Sequence, residues 1–354
     1  MIFFNLKSSE VSKRRQQVDV KRVLAVTTGG LGDTILFSPV LKALRFGYPE
    51  AKIELLTANN LVETIFSKAG EVDLISKVDL NRSSLALKIA VLIPFAISAR
   101  MKGGFDIGVF ATGLNPKLSI FLKTVAGIRH VACAPKPPEY PTDLACNLAL
   151  AQRFCETVRE TDVFLPLTEE AEIEAKEVLA QQGISWDESK IVAVYPSTDL
   201  KHRPRWPLSK LRQVIQLLKE NGFGGKVVVI GSAEEGLEWE KVDTERVADA
   251  NFAGKLSIRG SASLLTRCRL AVGNDGGLIH TAGAVGCPLV VIMTNTPVSY
   301  RPAGKKTTVI NSNLSCCAVE YPRRPKSCDI PKCLDSIDVA DVFQACTELM
   351  PLAG

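Results

Sequence analysis

Eight residues, GNDGGLIH at positions 273 to 280, carry the strongest chemical signal in the chain. They follow the apolar run Cys268 to Val272 and lead into Thr281, Ala282, Gly283 and Ala284, which reads as strand, glycine turn, helix. Gly276 and Gly277 let the backbone turn tightly, and the unpaired N–H groups of the new helix then face whatever anion sits there, a phosphate above all. Asp275 suits a helix cap and His280 a satisfied interior histidine; both also suit a polar ligand.

Three more turns hold reactive residue types. Gly29, Gly30, Gly32 and Asp33 follow an apolar run, but GGLGD lacks the GxGxxG spacing and no acidic residue ends the second strand, so a dinucleotide site is disfavoured. Asp33 is either a helix N-terminal carboxylate, worth about 0.3–1 kcal/mol through the helix dipole, or a base that takes a hydroxyl proton by virtue of its placement. In YPSTDLKHRPRWPLSKL, Ser197 and Thr198 sit just past a strand, and Lys201, Arg203 and Arg205 share the loop before the next helix. Three cations there suit a diphosphate, or else form a basic surface loop. In GSAEEG, Glu234 or Glu235 could grip ribose hydroxyls, or serve the helix start.

The elements that must position these turns alternate strand and helix throughout. VLAVTT (23 to 28), KIELLTAN (52 to 59), FDIGVFAT (105 to 112) and IRHVACA (128 to 134) read as strands of a first half. The acidic-started helix after Pro166, stopped by Gly183, marks a boundary. Then IVAVYP, KVVVIG, the run into GND and PLVVIM repeat the pattern, with helices at LSKLRQVIQLLKENG, from Glu234 to Val247, after His280 and from Val339 to Leu349. The expected class is α/β: two doubly wound domains with parallel sheets, facing each other across an active-site cleft. The expected division is a basic extension over 1–20, an N-terminal domain over 21–167 and a C-terminal domain over 168–354.

Composition narrows the function classes. At 354 residues, 46% apolar and 23% charged, the chain is ordinary globular protein of about two domains. Lys88 and Pro94 break the longest apolar run, Leu85 to Ile97; it reads as a buried helix rather than a span or a membrane-surface helix. No signal peptide is evident, which points to a cytoplasmic protein whose ten cysteines are reduced. Cys316, Cys317, Cys328 and Cys333 lack the paired knuckles of a zinc site, and no aspartate pair supports a metal; no cofactor is expected. The net charge is +5, with basic clusters at Lys13, Arg14, Arg15, Lys21, Arg22 and at Arg323, Arg324, Lys326. These are solvated surface or the attraction for an anionic saccharide or lipid; few aromatics accompany them, which argues against nucleic acid.

Taken in order, VLAVTTGGLGDTILFSPVLKALRFGYPEAKIELLT, RWPLSKL, VVVIGSAEE, VGNDGGLIHTAGAVGCPLVVIM and the terminal CLDSIDVADV resemble glycosyltransferase family 9, the ADP-heptose:lipopolysaccharide heptosyltransferases. The resemblance implies the GT-B fold of two Rossmann-like domains, the first for acceptor and the second for nucleotide sugar. It also implies Asp33 as general base beside Gly29, Gly30 and Gly32, and Glu235 as the ribose carboxylate. Ser197 would lie near the diphosphate sugar, with Asp275, Gly276, Gly277 and His280 in the family's Asp-Thr-Gly-Leu-any-His motif. Two departures stand out: Pro204 replaces the lysine two residues before Trp-Pro, and Gly276 replaces the motif's threonine.

The resulting expectation is an inverting, metal-independent heptosyltransferase. Its partners would be a nucleotide-sugar donor and an acidic lipid-linked saccharide acceptor, with peripheral contact at the cytoplasmic face of the inner membrane. The alternatives are a family member with another donor or acceptor, and a non-catalytic nucleotide-sugar or saccharide binding protein on the same fold.

Overall fold

The computed structural model describes residues 19–80, 84–135, 140–188, 190–197, 205–293, 298–312, 314 and 335–352. The chain divides into two compact units, Met1–Val163 and Phe164–Gly354. Most of the expected basic extension, together with Thr198, Lys201, Arg203, Pro204, the basic cluster around Arg323 and the four-cysteine cluster, lies outside the described residues.

Unit 1 is built on β1 (Arg22–Thr27), β2 (Lys52–Thr57), β3 (Leu74–Lys77), β4 (Phe105–Phe110) and β5 (Ile128–Cys133). All pair in parallel in the order β3-β2-β1-β4-β5. Helices α1 (Leu31–Gly47), α2 (Asn60–Phe66), α3 (Leu85–Met101), α4 (Pro116–Val125) and α5 (Asp143–Ala151) connect or cover them. Because side chains alternate across a strand, Leu24 and Val26 of β1 point into the core shared with Leu92, Ala96, Leu118 and Leu122 of α3 and α4. Each such fully buried aliphatic side chain contributes roughly 1.5–3 kcal/mol.

Unit 2 begins with α6 (Glu169–Ala180), followed by β6 (Ile191–Tyr195), α7 (Leu208–Glu220), β7 (Lys226–Val229), α8 (Ala233–Val242) and β8 (Ala250–Asn251). It continues with α9 (Ile258–Leu265), β9 (Leu270–Asn274), α10 (Gly277–Ala284), β10 (Leu289–Met293), β11 (Thr307–Asn311) and α11 (Val339–Leu349). The sheet is parallel throughout, ordered β11-β10-β9-β6-β7-β8. Along β6 the alternation is complete: Ile191, Ala193 and Tyr195 join the core containing α6, α9 and α10. Val192 and Val194 join the opposite one with Trp239 of α8 and residues of α7 and α11. Both faces of the sheet are therefore covered, as the doubly wound expectation requires.

Several elements differ from the sequence reading. Strands β3, β8 and β11, of four, two and five residues, were not anticipated. Helix α8 stops at Val242 rather than Val247, because the Asp243 carboxylate accepts hydrogen bonds from the backbone N–H groups of Val247 and Ala248 at 2.8 and 3.0 Å and so ends the helix. Helix α10 starts at Gly277, ahead of His280, which places that histidine inside the helix.

The largest correction concerns α3. The apolar run, broken only by Lys88 and Pro94, suggested a buried helix, yet in this helix only Leu92, Ala96 and Ala99 are buried. Leu87, Ile93, Ile97 and Met101 are 51, 40, 48 and 83% exposed. A helix that is apolar all round gives no clue to which stripe meets the core, and here one stripe at helical spacing suffices.

Candidate functional site

In unit 2 the order of the sheet reverses between β6 and β9, and open parallel sheets bind ligands beyond the carboxyl ends of their strands at such a switch. Three strand ends meet here: Tyr195 to Ser197 after β6, Gly231 to Glu235 after β7, and Asn274 to Gly277 after β9. Asn274, which is buried, stitches the first to the third. Its side chain donates to the Pro196 carbonyl at 2.8 Å and to the Trp206 carbonyl at 3.2 Å, and accepts from the Trp206 N–H at 2.9 Å. Both ends of the cation-bearing loop are thereby fastened to β9.

Ser197 adopts φ +52, a left-handed conformation that costs a non-glycine residue of order 1–2 kcal/mol. It is held there from two sides. Its hydroxyl donates to the Asp275 carbonyl at 3.0 Å, and the Arg205 guanidinium donates to its own carbonyl oxygen. Strain maintained by this many partners is typical of a ligand site. Of the three loop cations expected to meet a diphosphate, Arg205 is the one described, and it is half-buried beside the charges of Glu235 and Glu238.

Glu235 sits at the third position of α8 in a reciprocal cap. The Ser232 N–H donates to its carboxylate at 2.6 Å, and its own N–H donates to the Ser232 hydroxyl at 3.3 Å. Gly231 has φ +153, and a Cβ added there would stand 2.6 Å from the Glu235 Oε2 atom, so the carboxylate folds over a position only glycine can fill. Glu235 is 7% exposed, and the Tyr195 phenol lies in hydrogen-bonding reach of it and of Ser197. Burial, and then the neighbouring Glu235 charge, push the Tyr195 hydroxyl well above its ordinary range, so it stays a neutral group.

Helix α10 starts at Gly277, and its cap residue Gly276 has no side chain to accept from the first N–H groups. A helix start of this kind presents its first backbone N–H groups to an anion beyond the turn. His280 is buried, with Nε2 3.6 Å from Asp275 Oδ1 and Nδ1 without a hydrogen-bond partner among the described residues. Sequence reasoning missed Tyr195, Asn274 and Trp206. Tyr195 was read only as part of the strand run IVAVYP; its place beside Gly276 follows from the crossing of β6 past β9.

The arrangement sets a carboxylate, a phenol and a guanidinium together beyond one set of strand ends, groups suited to a phosphorylated ligand with hydroxyl groups. The model of glycosyltransferase family 9 (heptosyltransferase) matches residues 126–327. The chain belongs to glycosyltransferase family 9. Lipooligosaccharide heptosyltransferase 2 of Haemophilus influenzae is 22% identical to this transferase over 312 residues, which cover 81% of this chain and 88% of that protein. Among solved structures, a family 9 glycosyl transferase of Veillonella parvula superposes with a TM-score of 0.75 at 19% identity, over 94% of this chain and 98% of that one. The Escherichia coli ADP-heptose lipopolysaccharide heptosyltransferase II gives 0.67 at 20% identity, over 93% and 98%. An E. coli heptosyltransferase solved with ADP gives 0.63 at 19% identity, over 93% and 99%. These likenesses give this glycosyltransferase the GT-B fold.

The matching turn in unit 1 follows β1, where that sheet's order also reverses, between β1 and β4. Helix α1 begins at Leu31 with Gly30 as its cap, and the Gly30 N–H donates to Asp33 Oδ2 at 2.6 Å. A Cβ on Gly29 would lie 2.2 Å from the same oxygen. The Asp33 carboxylate thus serves the helix start, as its plainer reading held. It is partly exposed, and among the described residues no other group is bonded to it. Gly32 lies within the first turn of the same helix.

Among the described residues, no three His, Cys, Asp or Glu side chains come together as metal ligands, and no helix is long and apolar enough to cross a membrane. Among the described cysteines, Cys155, Cys268, Cys287 and Cys346 are free thiols. Burial pushes Cys287 up to about 12 and Cys268 well above its ordinary range, so neither is a nucleophile at neutral pH.

Proposed function

We propose that this family 9 transferase moves heptose from ADP-heptose to the inner core of a lipopolysaccharide acceptor, with inversion and without a metal. An acceptor hydroxyl attacks the anomeric carbon and gives its proton to Asp33. The bond from that carbon to the diphosphate breaks on the opposite face, and ADP leaves. Arg205 and the open N–H groups of Gly276 and Gly277 offset the charge growing on the diphosphate, work done elsewhere by a metal ion. Glu235 holds the ribose hydroxyls, and Ser197, Asp275 and His280 complete the donor contacts with Thr198, Lys201 and Arg203 of the loop.

The observation that carries this reading is the meeting of a strained Ser197, a capped and buried Glu235 and an uncapped helix start at one topological switch. The test is transfer by the purified protein from ADP-heptose to a heptose-deficient core, followed by mass analysis with and without a chelator. A chelator-resistant gain of one heptose is expected; no gain from ADP-heptose would overturn the donor assignment. A second reading, a family member with a different donor, is favoured by Gly276 at the motif's threonine position. It predicts that UDP or GDP sugars raise the melting temperature more than ADP-heptose does.

A lipid-linked acceptor also requires the enzyme to work at the cytoplasmic membrane surface. Support comes from the exposed Leu87, Ile93, Ile97 and Met101 of α3, the helix whose Arg100 lines an open pocket of about 400 Å³ together with Lys123 and Arg129. Apolar side chains beside cations suit an anionic bilayer. Sedimentation with phosphatidylglycerol vesicles, lost in Ile93→Ser/Ile97→Ser, is the expected result; equal sedimentation of both proteins would exclude this face.

A further inference from the structure

We infer that Tyr195 is a donor-binding residue, contacting the phosphate next to the ribose and standing in for the side chain that Gly276 lacks; this rests on the donor-site reading above. The reasoning begins with strand periodicity. Ile191, Ala193 and Tyr195 all face the core that contains Leu278, Ile279 and Ala282 of α10, so a side chain at the end of β6 must lie against the start of that helix. Pairing of β6 with β9 sets the depth, with Tyr195 opposite Gly273.

The consequence is a close fit at Gly276. A Cβ added there would lie 2.7 Å from Tyr195 Cε1, 2.8 Å from its hydroxyl oxygen and 3.2 Å from Ser197 Oγ. The ring is buried and cannot swing away at low cost, so a threonine at 276 and a tyrosine at 195 exclude each other. The two positions form one unit, in which the hydroxyl that position 276 lacks arrives instead from β6.

The location of that hydroxyl defines its ligand. It lies between the Glu235 carboxylate and the uncapped start of α10, and it remains protonated because burial opposes its ionisation. In the ligand-free protein it has Glu235 as a partner; ribose hydroxyls arriving at Glu235 free it to donate to a phosphate oxygen. A neutral donor at that point selects for a phosphate without adding a fixed charge beside Glu235.

Calorimetric titration of ADP and of adenosine into the full chain tests this. Tyr195→Phe, which keeps the ring, should bind ADP about tenfold more weakly, the loss expected for one hydrogen bond to a charged group, while adenosine binding changes less than threefold. Gly276→Thr should lower both stability and ADP affinity, and Tyr195→Val/Gly276→Thr should recover most of each. Wild-type-like ADP binding by Tyr195→Phe, an equal loss for adenosine, or a double variant no better than the sum of the single ones would overturn the inference while leaving the donor site in place. If the wild-type chain binds no ADP, the donor-site reading fails and takes this inference with it.

Discussion

The turn after β1 and the turn after β7 use the same local device in different surroundings. In each, a glycine precedes a helix whose third residue is a carboxylate, and that carboxylate accepts from the helix-cap N–H at 2.6 Å. Asp33 keeps this bond on a partly exposed turn with no further described partner, whereas Glu235 is 7% exposed beside Tyr195 and Arg205. A carboxylate at this position is a helix cap by default. What it does beyond capping is decided by the strand ends around it, with water access suiting proton transfer at Asp33 and burial among donors suiting a fixed ligand contact at Glu235.

Amide variants separate capping from chemistry, because an amide oxygen still accepts the cap hydrogen bond. The largest expected effect is in Asp33→Asn: heptose transfer in a single-turnover assay should fall by roughly 10²–10⁴, the range for a lost general base, with ADP affinity unchanged. A fall of less than tenfold would leave Asp33 a cap only and erase the contrast between the turns. Glu235→Gln should do the reverse, weakening ADP binding about tenfold while the melting temperature holds.

Smaller effects probe the shared device. Gly29→Ala and Gly231→Ala should each cost about 1–3 kcal/mol in urea unfolding through overpacking against the carboxylate. Gly231→Ala should cost more, since its φ of +153 is also closed to alanine. Equal costs would mean that backbone conformation adds nothing to the clash.

The smallest effect is an acid one. Burial alone would raise Asp106, but the backbone N–H groups of Lys21 and Arg22 and the Arg129 charge outweigh it and hold the carboxyl below its ordinary range. Its contribution is therefore complete above the unfolded value of about 3.9 and is lost as pH falls through the lower folded value. Stability of Asp106→Asn should depend less on pH below 4 than that of wild type; parallel curves would show that the Asp106 network adds no stability to the base of unit 1.

Much of this was legible in the residues. Periodicity located the long strands, and glycines after β1, β7 and β9 marked three of the four candidate turns, because a chain leaving a buried parallel strand for a helix has few other ways to turn. The apolar face of α3 was not legible, since a run of uniform hydrophobicity carries no phase. Nor were Tyr195 and Asn274 recognisable as site residues: a tyrosine closing one strand and an asparagine closing another, nearly eighty positions later, have no local pattern in common.

The sequence by itself determined the order of the longer elements, the parallel two-unit class and the positions of the candidate turns, since these follow from local backbone preference and side-chain period. Only the tertiary structure decided which side chains share a site. Strand order placed β6 beside β9, register set Tyr195 opposite Gly273, and the depth of that pairing brought a phenol hydroxyl to the side of Gly276. Contacts of this kind depend on the sheet's long-range pairing, which no stretch of local sequence encodes.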